Sequence, residues 1–332
     1  MWKWRTNRIL GPGAALLMAL VLLTSVCCQK SGAAPAERYR AVPFDGKRAM
    51  EHLVAICAIG RRVSGTEGMQ QQQQMLEKYF TDLGAQVEMQ AFPIRHPLDG
   101  SPVELANMIV HWHPEKKERI LLCAHYDTRP FPDRDPKNKQ GVFVGANDGA
   151  SGVALLMELG LYMKDLKSPF GVDFILFDGE ELVYSDLRDS YFLGSEYFAG
   201  QYVSNPPDYR YRAGLLVDMV GDADLQIYQE RNSLSYAPTM VRDVWTIAKE
   251  LGVREFVPRP RHTVRDDHLA LNRTAKIPTI DLIDFDYPRP GYAYSYWHTQ
   301  ADVPDNCSAD SLEKVGKVVH EWLRRLEDKP MR

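Results

Sequence analysis

The chain has 332 residues, 45% hydrophobic and 25% charged, with a formal net charge of −4. Those values describe an ordinary globular protein, long enough for one large α/β domain or two smaller ones. The charge is mild and no Lys/Arg-rich run follows the N-terminal region, which argues against nucleic-acid binding.

At the N-terminus, Lys3, Arg5 and Arg8 precede an unbroken apolar run at residues 14–23. The run has the length of a signal-peptide core and is short for a membrane span. Residues 1–28 therefore read as a signal peptide or a lipoprotein signal or anchor, with Cys27 or Cys28 as the site of acylation, although Val26 is bulkier than the small residue such sites prefer. Residues 29–41, rich in Ala and Pro, read as a flexible tether. Residues 42–329 remain as one domain, expected to work in the periplasm or otherwise outside the cytoplasm and to touch a membrane only through the N-terminal segment or its lipid. Beyond the tether only Cys57, Cys123 and Cys307 remain, too few and too odd in number for a disulfide framework. Cys123 lies in an apolar run and reads as a small buried hydrophobe.

Helices are expected at residues 47–59 and at 68–83, the second from the spacing of Met69, Met75, Leu76, Tyr79 and Phe80. Strands follow at 106–112 and 119–123, read as neighbours joined by the charged turn 114–118. Then come a helix at 153–163, a strand at 172–177, a helix at 190–201, a strand at 213–217 and a helix at 234–251. A strand at 279–283 and a helix at 309–326 close the chain. Mostly apolar strands alternating with helices imply an α/β fold: one central mixed, mostly parallel sheet with helices on both faces. Such sheets collect ligands beyond the carboxyl ends of their strands.

The acid and histidine clusters fall at those ends. His125-Tyr126-Asp127 follows one strand, Asn147-Asp148 precedes a helix, Glu180-Glu181 follows the strand at 172–177, and Asp218 closes the next. Asp266-Asp267-His268 and Trp297-His298 lie in later loops. Taken singly, His125 reads as a satisfied strand-end histidine, Asp148 as a helix cap, Asp218 as a turn acceptor and His298 as a surface residue. Together they offer the histidine and carboxylate donors that zinc takes. The adjacent Glu180 and Glu181 point in different directions, so one can bind a metal while the other moves a proton.

The segments Ala124-His125-Tyr126-Asp127, Gly145-Ala146-Asn147-Asp148-Gly149-Ala150-Ser151-Gly152, Phe177-Asp178-Gly179-Glu180-Glu181 and Trp297-His298-Thr299 resemble those of the zinc aminopeptidase and glutaminyl cyclase superfamily. The resemblance covers roughly residues 47–326 and implies a zinc-exopeptidase-like fold. In the aminopeptidases it would put His125 and Asp218 on one zinc, Glu181 and His298 on another, Asp148 between them, and Glu180 as general base. In the cyclases it would leave a single zinc on Asp148, Glu181 and His298.

Three features resemble the cyclase branch: the longer loop 182–193 before Gly194-Ser195, the extra acid Asp266, and the segments 59–66 and 106–109. If Asp266 pairs with Asp218, the two carboxylates share a proton and Asp218 is lost as a ligand. The expected activity is then glutaminyl-peptide cyclisation: N-terminal glutamine becomes pyroglutamate and ammonia leaves, with Glu180, Asp218 and Asp266 catalytic and Trp297 walling the pocket. Three departures stand against the animal cyclases: loop 182–193 has no tryptophan, only Tyr184, Tyr191 and Phe192 as large rings, the cysteine pair around His-Tyr-Asp is missing, and the stretch Asn147-Asp148-Gly149-Ala150-Ser151-Gly152 resembles an aminopeptidase. The alternative is a two-zinc aminopeptidase that hydrolyses N-terminal residues from peptides. A non-catalytic binding module would have lost a ligand or the base, and every position is filled. A dinucleotide enzyme would need a Gly-x-Gly-x-x-Gly after an early strand, and none is present.

Overall fold

Side chains alternate between two cores along nearly every central strand, and that alternation sets the architecture. The computed structural model describes residues 42–287 and 295–326, so the expected signal segment and tether, with Cys27 and Cys28, lie outside the described residues. The elements run α1 (Gly46–Cys57), α2 (Glu67–Asp82), β1 (Gln86–Arg95), β2 (Pro102–Trp112), β3 (Glu118–His125), α3 (Ala150–Met163), β4 (Gly171–Phe177), α4 (Leu193–Ser204) and β5 (Arg210–Asp218). They continue with β6 (Ile227–Glu230), α5 (Arg231–Tyr236), α6 (Pro238–Glu250), β7 (Phe256–Arg261), α7 (His268–Ala270), β8 (Thr279–Ile283) and α8 (Ala309–Arg325). A π-type turn, Leu271–Ala275, extends α7.

Six strands form one sheet in the order β1-β2-β4-β3-β5-β8, and β6 and β7 pair separately. β1 and β2 are antiparallel to their neighbours, while β4, β3, β5 and β8 run parallel. On one face Met108, Val110, Ile120, Leu122, Phe174, Leu176, Leu215 and Val217 pack with residues of α1, α2, α3, α6 and α8. On the other, Ile109, Leu121, Cys123, Ile175, Phe177 and Leu216 pack with α4 and the π-type turn. Each such side chain contributes roughly 1.5–3 kcal/mol when fully buried. Cys123 is one of them, fully buried.

Two expectations need correction. The strands at 106–112 and 119–123 are not neighbours, because β4 lies between β2 and β3. Alternation identifies a strand but not its partner. The 113–117 connection spans two strand spacings, about 9–10 Å, and is closed by the Arg119 guanidinium, which donates to the carbonyls of Trp112, His113 and Lys116. The helix expected at 234–251 is two helices, broken at Ala237 before Pro238, whose missing N–H and fixed φ start a new helix. β1, β6 and β7 are strands that the apolar pattern does not reveal; Pro93, Pro258 and Pro260 sit in two of them. α4 begins at Leu193 rather than near 190.

Candidate metal centre and active site

The parallel strands deliver the chemistry to one edge. β3 ends at His125, which pairs with Phe177 at the end of β4, and β5 ends at Asp218. Beyond Phe177 the chain turns through Gly179, at φ 73°. The buried Asp127 carboxylate accepts the backbone N–H of Glu180 at 3.1 Å and of Glu181 at 2.9 Å. That clamp fixes the turn, with Glu181 facing His298 and the Glu180 carboxylate 3.9 Å from His125 Nδ1.

Asp148 is held by a second clamp. The N–H groups of Asn147 and Asp148 donate to the carboxylate of Asp302 at 2.7 and 3.1 Å. Gly149, at φ 96°, lets the turn close: a Cβ there would lie 2.6 Å from the Asp127 carbonyl oxygen. Asp148 makes no cap bond to α3, so the capping reading fails. His298 sits at φ 58°, with Nδ1 3.1 Å from Asp133 Oδ1.

The distances fall into two groups that share Asp148. Its Oδ2 lies 3.5 Å from His298 Nε2, which is 3.2 Å from Glu181 Oε1. Its Oδ1 lies 3.2 Å from His125 Nε2, which is also 3.2 Å from Asp218 Oδ1. Donor atoms of Asp148, Glu181 and His298 lie within 4.8 Å of one another, as do those of His125, Asp148 and Asp218. Asp266 is buried, with Oδ1 accepting the Asp267 N–H at 2.6 Å. Trp297 is half-buried, 5.0 Å from the Phe285 ring and under the Arg134 guanidinium at 4.0 Å.

Electrostatics separates these acids. Burial alone would raise Glu181, but the Arg129 guanidinium, donating to Oε1 at 2.9 Å, and His298 hold its pKa down to about 2. Burial and the Glu181 charge push Asp148 up to about 6. Glu180 is raised well above the carboxylate range, first by burial and next by Glu181, with Asp266 and Asp267 adding to it. Asp266 is pushed well up by burial and then by the charge of Asp218. Burial opposes charge on His125, yet Asp127, Asp148 and Asp218 outweigh it and push its pKa well up. His298 is raised to about 9 against burial, by Glu181 and Asp133.

The donor set suits zinc: two carboxylates and an imidazole converge, and Glu181 Oε2 is buried without a hydrogen-bond partner. Arg129, Asp133 and Asp302, and the clamping role of Asp127, escape sequence reasoning. The only trace is Arg129 and Asp127 standing beside the His125 motif.

Residues 107–323 match the profile of peptidase family M28. The chain belongs to that family. The crystal structure of Fimbriiglobus ruber glutaminyl cyclase is similar at 38% identity, covering 88% of this chain and 99% of that one with a TM-score of 0.81. The crystal structure of a Zn-dependent exopeptidase from Parabacteroides distasonis is similar at 32% identity, 87% and 100% coverage and a TM-score of 0.78. A curated relative, glutaminyl-peptide cyclotransferase from cattle (Bos taurus), is 25% identical over 252 residues, 66% of this chain and 65% of its own length. The match thus spans just under two-thirds of that relative.

Proposed function

We propose that this chain is a zinc-dependent glutaminyl-peptide cyclotransferase, an acyltransferase that converts the N-terminal glutamine of peptides and proteins to pyroglutamate and releases ammonia. The similar cyclases from Fimbriiglobus ruber and cattle support the reaction class. The observation that supports the choice of branch is the buried Asp266 carboxyl, pushed well up by burial and then by the charge of Asp218. Two interacting carboxylates do not both ionise cheaply, so a proton held on Asp266 would compete with a second metal for Asp218. One zinc is then held by Asp148, Glu181 and His298.

When bound, the zinc supplies a Lewis acid for the γ-carbonyl oxygen of the substrate. The remaining chemistry belongs to the chain. Glu180, with a raised pKa and a side chain 12% exposed, lies 3.9 Å from His125 Nδ1. It accepts a proton from the substrate α-amine as the amine nitrogen bonds to Cδ, and returns it to the amide nitrogen that leaves as ammonia. Arg129 and Asp133 fix Glu181 and His298. Trp297 walls the pocket, holding the glutamine folded for attack, where orientation supplies much of the rate. We also propose that residues 1–28 direct export, with lipid attachment at Cys27 or Cys28, and that residues 29–41 tether the catalytic domain 42–329. Among the described residues no helix is long and apolar enough to cross a membrane.

One observation favours a second reading. His125 and Asp218 complete a second donor group with Asp148, as a two-zinc aminopeptidase would require. Purified protein incubated with a glutaminyl peptide separates the two. Ammonia with a pyroglutamyl product supports the cyclase; a free amino acid overturns it.

A further inference from the structure

Two arginines adjoin residues of the centre without joining it. Arg134 follows Asp133, the acid facing His298, and its own N–H donates to the His298 carbonyl at 3.1 Å. Arg265 precedes the buried Asp266. Both arginines are exposed.

Each guanidinium rests on an aromatic ring. Arg134 Cζ lies 4.0 Å from the centroid of Trp297, the residue before His298. Arg265 Cζ lies 6.0 Å from the centroid of Phe192, whose N–H donates to the Glu180 carbonyl at 3.3 Å. One cation is thus anchored beside a metal-ligand candidate and the other beside the proton carrier.

Among the described residues neither arginine is in an ion pair. The acids flanking Arg134 are engaged elsewhere. Asp133 faces Arg129 at 3.0 Å and His298 at 3.1 Å, and Asp135 accepts the N–H groups of Lys137, Asn138 and Gln300. A guanidinium stacked on a ring uses its face, so its N–H groups stay free at the edge to grip a carboxylate as a fork. Stacking also holds the long side chain in place, which lowers the ordering cost of binding.

The centre itself is rich in carboxylates, which repel an acidic peptide, and two unpaired guanidiniums beside it reverse that sign locally. A glutamine held against Trp297 sends the rest of its peptide out past the exposed residues adjoining that ring, and Arg134 is one of them. We propose that Arg134 and Arg265 select peptides in which aspartate or glutamate follows the N-terminal glutamine within a few residues, each guanidinium gripping a side-chain carboxylate. This rests on the cyclase reading and narrows its substrate class.

The test gives the zinc-loaded full chain two peptides, an N-terminal glutamine followed by two glutamates or by two glutamines. Both are amidated, so that no terminal carboxylate competes, and kcat/KM is read from ammonia release. Wild type should favour the acidic peptide, mainly through KM, with each guanidinium contributing about 2–5-fold at low salt, the weight of an exposed ion pair. Arg134→Gln combined with Arg265→Gln should erase the preference. The preference is a ratio within one protein, so partial loss of folding or zinc cancels. Should the double variant not fold, wild type in about 1 M salt decides, because screening there acts within about 3 Å and should remove the preference. A double variant with the wild-type ratio, a ratio indifferent to salt, or a wild type without preference overturns the proposal and leaves the reaction standing. Ammonia from neither peptide overturns the cyclase reading and this proposal with it.

Discussion

The two oxygens of Asp148 face unlike surroundings. On the Oδ2 side stand His298 and Glu181, and the buried Arg129 guanidinium is committed to Glu181. On the Oδ1 side stand His125 and Asp218, whose charge pushes up the buried Asp266, and no lysine or arginine is paired with either acid among the described residues. Both sides carry ligand-type residues, yet only one is supplied with fixed positive charge. The inventory of donors therefore does not count the metals. What counts them is whether each carboxylate is kept ionised, and that is decided one layer further out.

The largest expected effect tests the residue between the two sides. Glu180→Gln should keep its zinc and lose about 10²–10⁴-fold in kcat, the usual weight of a positioned acid–base group. Near-normal turnover would remove Glu180 from the mechanism. Next, Arg129→Met leaves Glu181, Asp133 and Asp186 without their shared cation. Breaking a buried ion pair from one side costs about 3–5 kcal/mol, so denaturant unfolding should show a loss of that order. Unchanged stability would mean that the two sides of Asp148 do not differ as described. Asp266→Ala should lower cyclisation by about 10–100-fold, as outer-shell changes do, and free Asp218 to bind. Because the change also removes an interior donor, the readout is position: an anomalous zinc peak between His125 and Asp218 that wild type lacks. Reduced activity without that peak would separate the catalytic role of Asp266 from its control of metal number.

Much of this is carried by the sequence. Strand-end placement brings His125, Asp148, Glu180, Glu181, Asp218 and His298 to one edge, because parallel strands separated by helices leave them little choice. The clamps are not legible. Asp302 supports Asn147 from 155 positions away, and nothing local to Asp302 marks it. Arg129 looks like any loop arginine until Glu181 and Asp186 are folded against it. The position of β4 between β2 and β3 escapes for a similar reason: pairing is a long-range choice, and short connections mislead.

The smallest effect comes from a third region, where a buried acid has all the positive charge that Asp266 lacks. Asp173 on β4 lies against the guanidinium of Arg119 and 2.8 Å from His111 Nδ1, and is held below the usual range although burial works the other way. His111 is raised to about 9: burial disfavours its charge, but Asp173 and Glu88 outweigh that. A histidine raised on folding contributes its full stability below its ordinary value of about 6.5 and loses it as pH climbs through the folded value. His111→Gln should therefore lower Tm most at acidic pH, with the gap to wild type closing between about 6.5 and about 9. Zinc content should not change, since His111 pairs across to β1 and β4, away from the carboxyl edge of the sheet. A gap of the same size on both sides of that window would mean His111 is neutral in the fold, and Arg119 alone would then be what keeps Asp173 ionised.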